Sequence, residues 1–542
     1  MKPAGQFQNI LKAMSDPAFY PHAVTRIEFR ETHISAVFLT GQWVYKLKKA
    51  KNLGFLDFRE LSDRRRFCRR EVELNQRLST GVYHGVVAIH VDGRGNLSFG
   101  PEGEIVEYAV KMAQLPESSN LAALLEQGDL DDGRLAALGD TLADFFARAE
   151  RGPEIDAFGD PEIIRFNTEE NFEQIQPFVA GRLDADMWAF IREVSRSFRT
   201  DREDLFRHRM RTGRIRDGHG DLRADHVYFH DGVQVIDCIE FNERFRYGDA
   251  ALDLAFLMMD LERLGHGRTG RRLLDAYART ARDPEIYALL DFYAAYRALV
   301  RLKVACFSLK NGREPLPADA GRCFSLAYRY ALSFGRPALW VFSGLPASGK
   351  STLAERAAAA LFMPLFQSDS VRKQDADFPD DGVTAFNAGA YRPVLRGRVY
   401  AKLLNLAQEE LRKGRSVALD ATFGESRWRQ AAVELAADHN VGIVFVRCMC
   451  STETIRSRLA RREEERGTSD ARLFHLDDMI RNYEPFGAEM DGVCIETDTD
   501  RDVEESFYDT LAAGHALKSA QAEVLANGSG PSGPGVRKAG PA

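Results

Sequence analysis

No stretch of this 542-residue chain is apolar for long enough to cross a bilayer. Its first residues hold no charged segment followed by an apolar one, the pattern of a secretory leader. Cysteine is sparse. There are seven, scattered and odd in number, which argues against a disulfide framework and for a reduced, cytoplasmic protein. Cys448 and Cys450 form a C-x-C with no second Cys/His pair, so they read as small core residues rather than a metal site. An excess of positive charge is missing too. Lys and Arg number 73 against 80 Asp and Glu, for a net charge of −7 and a pI near 6.0. That balance counts against a nucleic-acid partner, although a local basic groove stays open. No internal repeat is present.

What is present is the composition of a globular protein, 44% hydrophobic and 28% charged. The length exceeds one ordinary core and predicts several domains.

The strongest local signal is Gly344, Leu345, Pro346, Ala347, Ser348, Gly349, Lys350, Ser351 and Thr352, which fits G-x-x-x-x-G-K-[ST]. An apolar segment at 338–342 predicts a buried strand before it, and 353–361 predicts a helix after it. That order is what phosphate binding needs. The strand delivers the chain, glycines let backbone N–H groups close around phosphate, and the helix start adds partial positive charge. Lys350 then reaches the β- and γ-phosphates, and Ser351 holds Mg²⁺.

Three later segments carry further chemistry. Residues 365–373 form a strand end followed by Asp369 and Arg372. Asp369 is expected to take the acceptor's proton, or to open a helix, or both, and Arg372 to bind an anionic group. Residues 416–423 form an apolar strand ending in Asp420, where a P-loop enzyme places its Mg²⁺-side carboxylate. An Arg-rich helix with Arg456, Arg458, Arg461 and Arg462 runs into a polar loop with Ser469, Asp470 and Ala471. It predicts a lid whose Arg458 and Arg461 face ATP; a solvated helix face is the alternative. Over about residues 338–499 these motifs resemble the AAA_33 or zeta-toxin-like P-loop kinases. That implies an α/β domain with a parallel sheet that phosphorylates a hydroxyl or similar group.

A second constellation lies upstream. His219, Asp221 and His226 follow the kinase pattern H-x-D-x-x-x-x-N, and Asp237 follows on a short strand. Asp221 would accept the substrate's proton and Asp237 would bind Mg²⁺. His226 stands where the pattern has a metal-binding Asn. It is kept as a metal candidate, with two alternatives: Asp225 takes that place, or a single Mg²⁺ binds. Residues 35–39 and 43–48 predict a hairpin that puts Lys46 and Lys48 on one face. Lys46 is favoured as the phosphate anchor, and Glu71, with Glu73 as alternative, as its helix partner. Residues 106–112 are expected at the adenine hinge. Asp249 and Asp253 either brace the catalytic loop or complement a helix dipole. No glycine-rich loop is present; residues 30–35 are the nearest substitute.

Residues 25–310 resemble the aminoglycoside phosphotransferase (APH) superfamily, which implies an α+β, protein-kinase-like fold. The whole chain is similar to the fused proteins called bifunctional aminoglycoside phosphotransferase/ATP-binding proteins. The expected organisation is an APH domain at 1–334, a P-loop kinase domain at 335–520 and a disordered Gly/Pro/Ser-rich tail at 521–542. The expected activity is ATP- and Mg²⁺-dependent phosphoryl transfer to small-molecule hydroxyls at two sites. A P-loop kinase regulated by an N-terminal pseudokinase, and a nucleotide-switched binding protein, remain as alternatives. Fold analogy carries mechanism further than substrate, so aminoglycosides are not implied as acceptors.

Overall fold

The computed structural model describes residues 3–54, 56–309, 315–373, 393–465 and 473–528. The chain divides into two compact units, residues 1–164 with 206–281, and residues 165–205 with 282–542. Residues 165–205 and 282–334, expected with the first domain, therefore group with the P-loop segment.

Unit 1 opens on a six-stranded sheet. Its strands are β1 (Glu28–Glu31), β2 (Ser35–Leu39), β3 (Trp43–Lys48), β4 (Tyr83–Val91), β5 (Leu97–Ser98) and β6 (Glu104–Ala113). They lie in the order β1-β2-β3-β6-β4-β5, every pair antiparallel. Thr40 closes the β2–β3 hairpin, its amide and its hydroxyl both donating to the Trp43 carbonyl, at 2.9 and 2.8 Å. Alternation along β3 then sorts side chains by face. Tyr45 and Leu47 enter an apolar core with Ala36, Phe38, Ile89 and Ala109, while Lys46 and Lys48 point the other way.

The helix Leu61–Asn75 packs on that second face. Its buried stripe is Arg64, Cys68, Glu71, Leu74 and Asn75, a helical spacing filled mostly by polar groups. Each polar member has a partner. Arg64 Nε donates to both Glu107 carboxylate oxygens at 2.8 and 2.9 Å, and Asn75 Oδ1 accepts from the Cys238 amide at 2.9 Å. Residues 106–112, expected at the hinge, lie inside β6, paired on both sides by β3 and β4. The chain leaves the sheet after Ala113, where Gln114 to Pro116 lead to a short turn at Glu117–Ser119.

The rest of unit 1 contains β7 (Ile215–Asp217), β8 (Val227–Phe229), β9 (Val233–Val235) and β10 (Tyr247–Asp249). β7 pairs with β10 and β8 with β9, so residues 218–223 form a loop, followed by a 3-10 turn at Ala224–His226, between two small ladders.

Unit 2 holds a five-stranded parallel sheet of β11 (Ala338–Ser343), β12 (Leu365–Gln367), β13 (Val417–Asp420), β14 (Gly442–Met449) and β15 (Cys494–Asp498). The order is β12-β13-β11-β14-β15. β11 is central and buried at every position, which is why it reads as a continuous apolar run. Leu339, Val341, Leu403, Val417, Leu419, Ala432 and Phe445 form the core on one face. The last helix is Val503–Gly528, so the boundary expected at 520 falls inside a helix; the Gly/Pro/Ser-rich residues from 529 on lie outside the described residues. Among the described residues no helix is long and apolar enough to cross a membrane.

Candidate functional site

In unit 1, Glu71 bridges both lysines of β3. Its Oε1 lies 2.8 Å from Lys46 Nζ and its Oε2 2.7 Å from Lys48 Nζ. Lys46 also donates to Asp237 Oδ1 at 2.5 Å, and Lys48 pairs with Glu240. Burial works against the Lys46 charge, yet Asp237 and Glu71 raise its pKa well above the ordinary lysine value. The Asp237 carboxyl is pushed up by burial and pulled further down by Lys46, ending below the ordinary carboxylate range. Its side chain is still 42% exposed, so solutes reach it. Glu73, the alternative partner, is exposed and lies 3.5 Å from Arg70.

Asp237 has φ of +66°, a left-handed conformation for a residue with a side chain. Such backbone persists only where its surroundings hold it, at a cost of about 1–3 kcal/mol. Here the Asp237 amide donates to Tyr83 Oη at 3.2 Å and the next amide is fixed by Asn75.

The loop with Asp221 is braced from several sides. Asp253 accepts from the amides of His219 at 2.6 Å and Gly220 at 3.0 Å. Asp249 instead caps the helix Ala250–Arg263 and binds buried Arg209, so the two aspartates divide the two expected roles. Arg77 donates to the carbonyls of Asp217 at 2.9 Å and Gly218 at 2.8 Å. Gly220 has φ of +84°, and a Cβ there would stand 2.8 Å from the Phe245 carbonyl oxygen, so the position requires glycine. Burial drives His219 down to about 3, so its ring is neutral; Nε2 donates to the Ile236 carbonyl at 3.0 Å.

Asp221, Asp225 and His226 converge on Arg223. The guanidinium donates from Nε to Asp221 Oδ1 at 3.0 Å, from one terminal nitrogen to Asp225 Oδ2 at 2.9 Å, and from the other to His226 Nε2 at 2.9 Å. A guanidinium cannot accept, so Nε2 is the acceptor and Nδ1 donates to the Asp221 carbonyl at 2.8 Å. Both ring nitrogens are thereby engaged in hydrogen bonds. Asp237 suits a hard cation; the position beside it, filled by a ring nitrogen and a guanidinium, does not.

The nearest substitute for a glycine-rich loop, residues 30–35, is the β1–β2 turn. Thr32 Oγ1 accepts from the Ser35 amide at 2.9 Å, and Lys49 ties the turn down through the Thr32 carbonyl and Glu31.

In unit 2, the loop from Gly344 to Gly349 joins β11 to the helix Lys350–Ala360. Gly344 has φ of +150°, and a Cβ there would meet Ser348 Oγ at 2.6 Å and the Cys448 carbonyl oxygen at 2.9 Å. Gly349 and Ala347 are also left-handed. Two loop carbonyls are taken up from outside: Thr499 Oγ1 donates to Ser348 O at 2.6 Å and Arg458 donates to Ala347 O at 3.3 Å. Arg458 also donates to the Thr499 carbonyl at 2.6 Å. It thus shores up the loop. Arg461 sits on the exposed side of the same helix, Thr452–Glu465. Ser469, Asp470 and Ala471 lie outside the described residues.

Asp420 ends β13 and is buried. Burial raises its carboxyl pKa, partly offset by Lys350 and by hydrogen bonds from Ser351 and Gln367. Gln367 Nε2 donates to Oδ2 at 3.2 Å, whereas Oδ1 is buried without a hydrogen-bond partner. A carboxylate oxygen left over beside a serine hydroxyl and a lysine fits a hard, oxygen-seeking cation such as Mg²⁺. Asp369 lies in the first turn of the helix Ser368–Lys373, 46% exposed and 3.6 Å from Arg372. Among the described residues there is no cluster of three or more His, Cys, Asp or Glu that would cage a metal alone.

The APH family model, a phosphotransferase enzyme family, matches residues 109–292, and the AAA_33 model, an AAA domain, matches residues 339–486. The chain is 35% identical over 451 residues to the uncharacterized protein Rv2004c of Mycobacterium tuberculosis and to Mb2027c of Mycobacterium bovis, covering 82% of this chain and 88% of each relative. Among solved structures, a choline/ethanolamine kinase family protein from Mesorhizobium loti covers 59% of this chain and 98% of its own at 14% identity and a TM-score of 0.35. A sugar kinase from Janibacter sp. covers 34% and 97% at 18% identity and a TM-score of 0.27. The chain belongs to the bifunctional aminoglycoside phosphotransferase/ATP-binding protein family, an APH segment joined to an AAA_33 segment, and is an ATP-dependent kinase.

Proposed function

We propose that the chain carries two phosphotransferase sites, one in each unit, each moving the γ-phosphoryl of ATP to a hydroxyl of a small molecule. The observation that carries the first site is Lys46, held at once by Glu71 and Asp237 in the unit that also braces Asp221. Lys46 orients the phosphates, and Asp221 takes the proton from the acceptor hydroxyl. Burial tends to raise the Asp221 carboxyl, but Arg223 draws it below its usual range, so it is a carboxylate able to accept.

In the second site the loop amides cradle phosphate, Lys350 stabilises charge on the moving group, and Asp369 orients the acceptor. Asp237 in the first site, and Ser351 with Asp420 in the second, are the residues that would hold Mg²⁺, which when bound offsets phosphate charge. A cytoplasmic location fits seven cysteines with no disulfide among them.

A second reading has a specific observation behind it. Arg223 occupies Asp221 Oδ1, as a catalytically silent nucleotide-binding domain would allow. The test is product formation from a mixture of hydroxylated metabolites by Asp221→Asn and Lys350→Ala proteins. Two activities require each variant to lose a different phosphorylated product. If Asp221→Asn loses none, the first unit is regulatory.

A further inference from the structure

We infer that Arg223 is the fixed cation of the unit 1 site, so that this site takes one divalent metal, at Asp237, where a second would otherwise bind beside Asp221. This rests on reading unit 1 as a nucleotide site.

The geometry is specific. One guanidinium satisfies three partners from a single turn of loop: Asp221 Oδ1, Asp225 Oδ2 and His226 Nε2. Its side chain is only 14% exposed. The histidine is part of the holding device. Its Nδ1–H is committed to the Asp221 carbonyl, which turns the Nε2 lone pair toward Arg223. The same Nε2 lies 3.6 Å from Asp237 Oδ2. The guanidinium group is therefore anchored to atoms that flank both carboxylates.

A second divalent ion would have to displace it from three hydrogen bonds, or bind against a like charge in a partly desolvated cleft. The side chain that stands in the usual metal-binding place is an imidazole, a poor donor for Mg²⁺. A guanidinium offers positive charge without a coordination shell, and its planar fork matches phosphate oxygens. The pull of Arg223 on both Asp221 and Asp237 agrees with this placement.

The experiment uses the full chain carrying Lys350→Ala, which disables the P-loop site. Mn²⁺ is titrated at saturating non-hydrolysable ATP analogue, and bound metal is counted by electron paramagnetic resonance. The expected result is one tight Mn²⁺ per bound nucleotide. Adding Arg223→Gln with His226→Asn should admit a second, at least tenfold tighter than any weak second site of the parent. Arg223→Lys, which keeps the charge, should remain at one. Two tight ions with Arg223 in place overturn the inference, as does a count that stays at one in the Gln/Asn variant with native circular dichroism. If the Lys350→Ala parent binds no nucleotide, the reading of unit 1 as a nucleotide site fails, and the inference falls with it.

Discussion

Lys48 lies 2.7 Å from Glu71, on the far oxygen of the same carboxylate that Lys46 holds at 2.8 Å. The two lysines differ in what backs them. Lys46 also reaches half-open Asp237, whereas Lys48 is fully buried against Glu240. One lysine thus reaches a half-exposed carboxylate, and the other holds the far oxygen of the glutamate they share.

That division predicts unequal costs. Lys48→Met leaves Glu240 buried without its cation, and should lower stability by about 3–5 kcal/mol. Lys48→Met with Glu240→Gln should recover most of the loss. Lys46→Met leaves Glu71 still paired to Lys48. It should cost about 1–2 kcal/mol and abolish nucleotide binding in unit 1. Urea denaturation and nucleotide titration of the three proteins check the pattern.

Asp420 should trade stability for function. Burial raises its carboxyl pKa in the folded protein, so folding disfavours its charged form. Stability is full below the unfolded carboxyl range and falls as pH rises through that range to the folded value. Asp420→Asn removes that cost and should leave the apo protein as stable at neutral pH as the parent, or more so by on the order of 1 kcal/mol. In a Lys46→Met background, Mg·nucleotide should raise the Tm of the parent but not of Asp420→Asn.

Asp291 makes the opposite prediction. It is buried with His515 Nε2 at 3.0 Å and the Ser333 hydroxyl at 2.6 Å. Burial pushes its pKa up, but His515, Ser333 and Lys518 pull it down to about 2. The stability this gives is present above the unfolded carboxyl range and is lost as pH falls from about 4 toward about 2. Asp291→Asn should cost about 2 kcal/mol at pH 7 and flatten that part of the acid-unfolding curve relative to the parent.

Gly220→Ala should silence the first site alone. The new Cβ would meet the Phe245 carbonyl at 2.8 Å in a left-handed backbone. A loss of roughly 1–3 kcal/mol is expected. The product dependent on Asp221 should vanish while the one dependent on Lys350 persists.

Much of this was legible in the sequence, for local reasons. The P-loop shows itself because its glycines, its buried strand and its helix are contiguous. Alternation placed Lys46 and Lys48 on one face but could not choose between them, and both meet Glu71. Residues 106–112 look like a hinge because an apolar strand precedes it; only the pairing with β3 and β4 shows the chain leaving after Ala113. Three features had no local signal. The left-handed Asp237 depends on Tyr83 and Asn75 from distant segments. Arg458 has the spacing of a lid residue, yet its partners are Ala347 and Thr499. The grouping of residues 165–205 and 282–334 with the second unit rests on long-range helix packing.

The central claim is two nucleotide sites in one chain. Calorimetric titration of a Mg·ATP analogue into the parent and into Lys350→Ala tests it most directly. The account predicts two equivalents bound by the parent and one by the variant. One equivalent in the parent and none in the variant would contradict it, leaving the P-loop unit as the sole site.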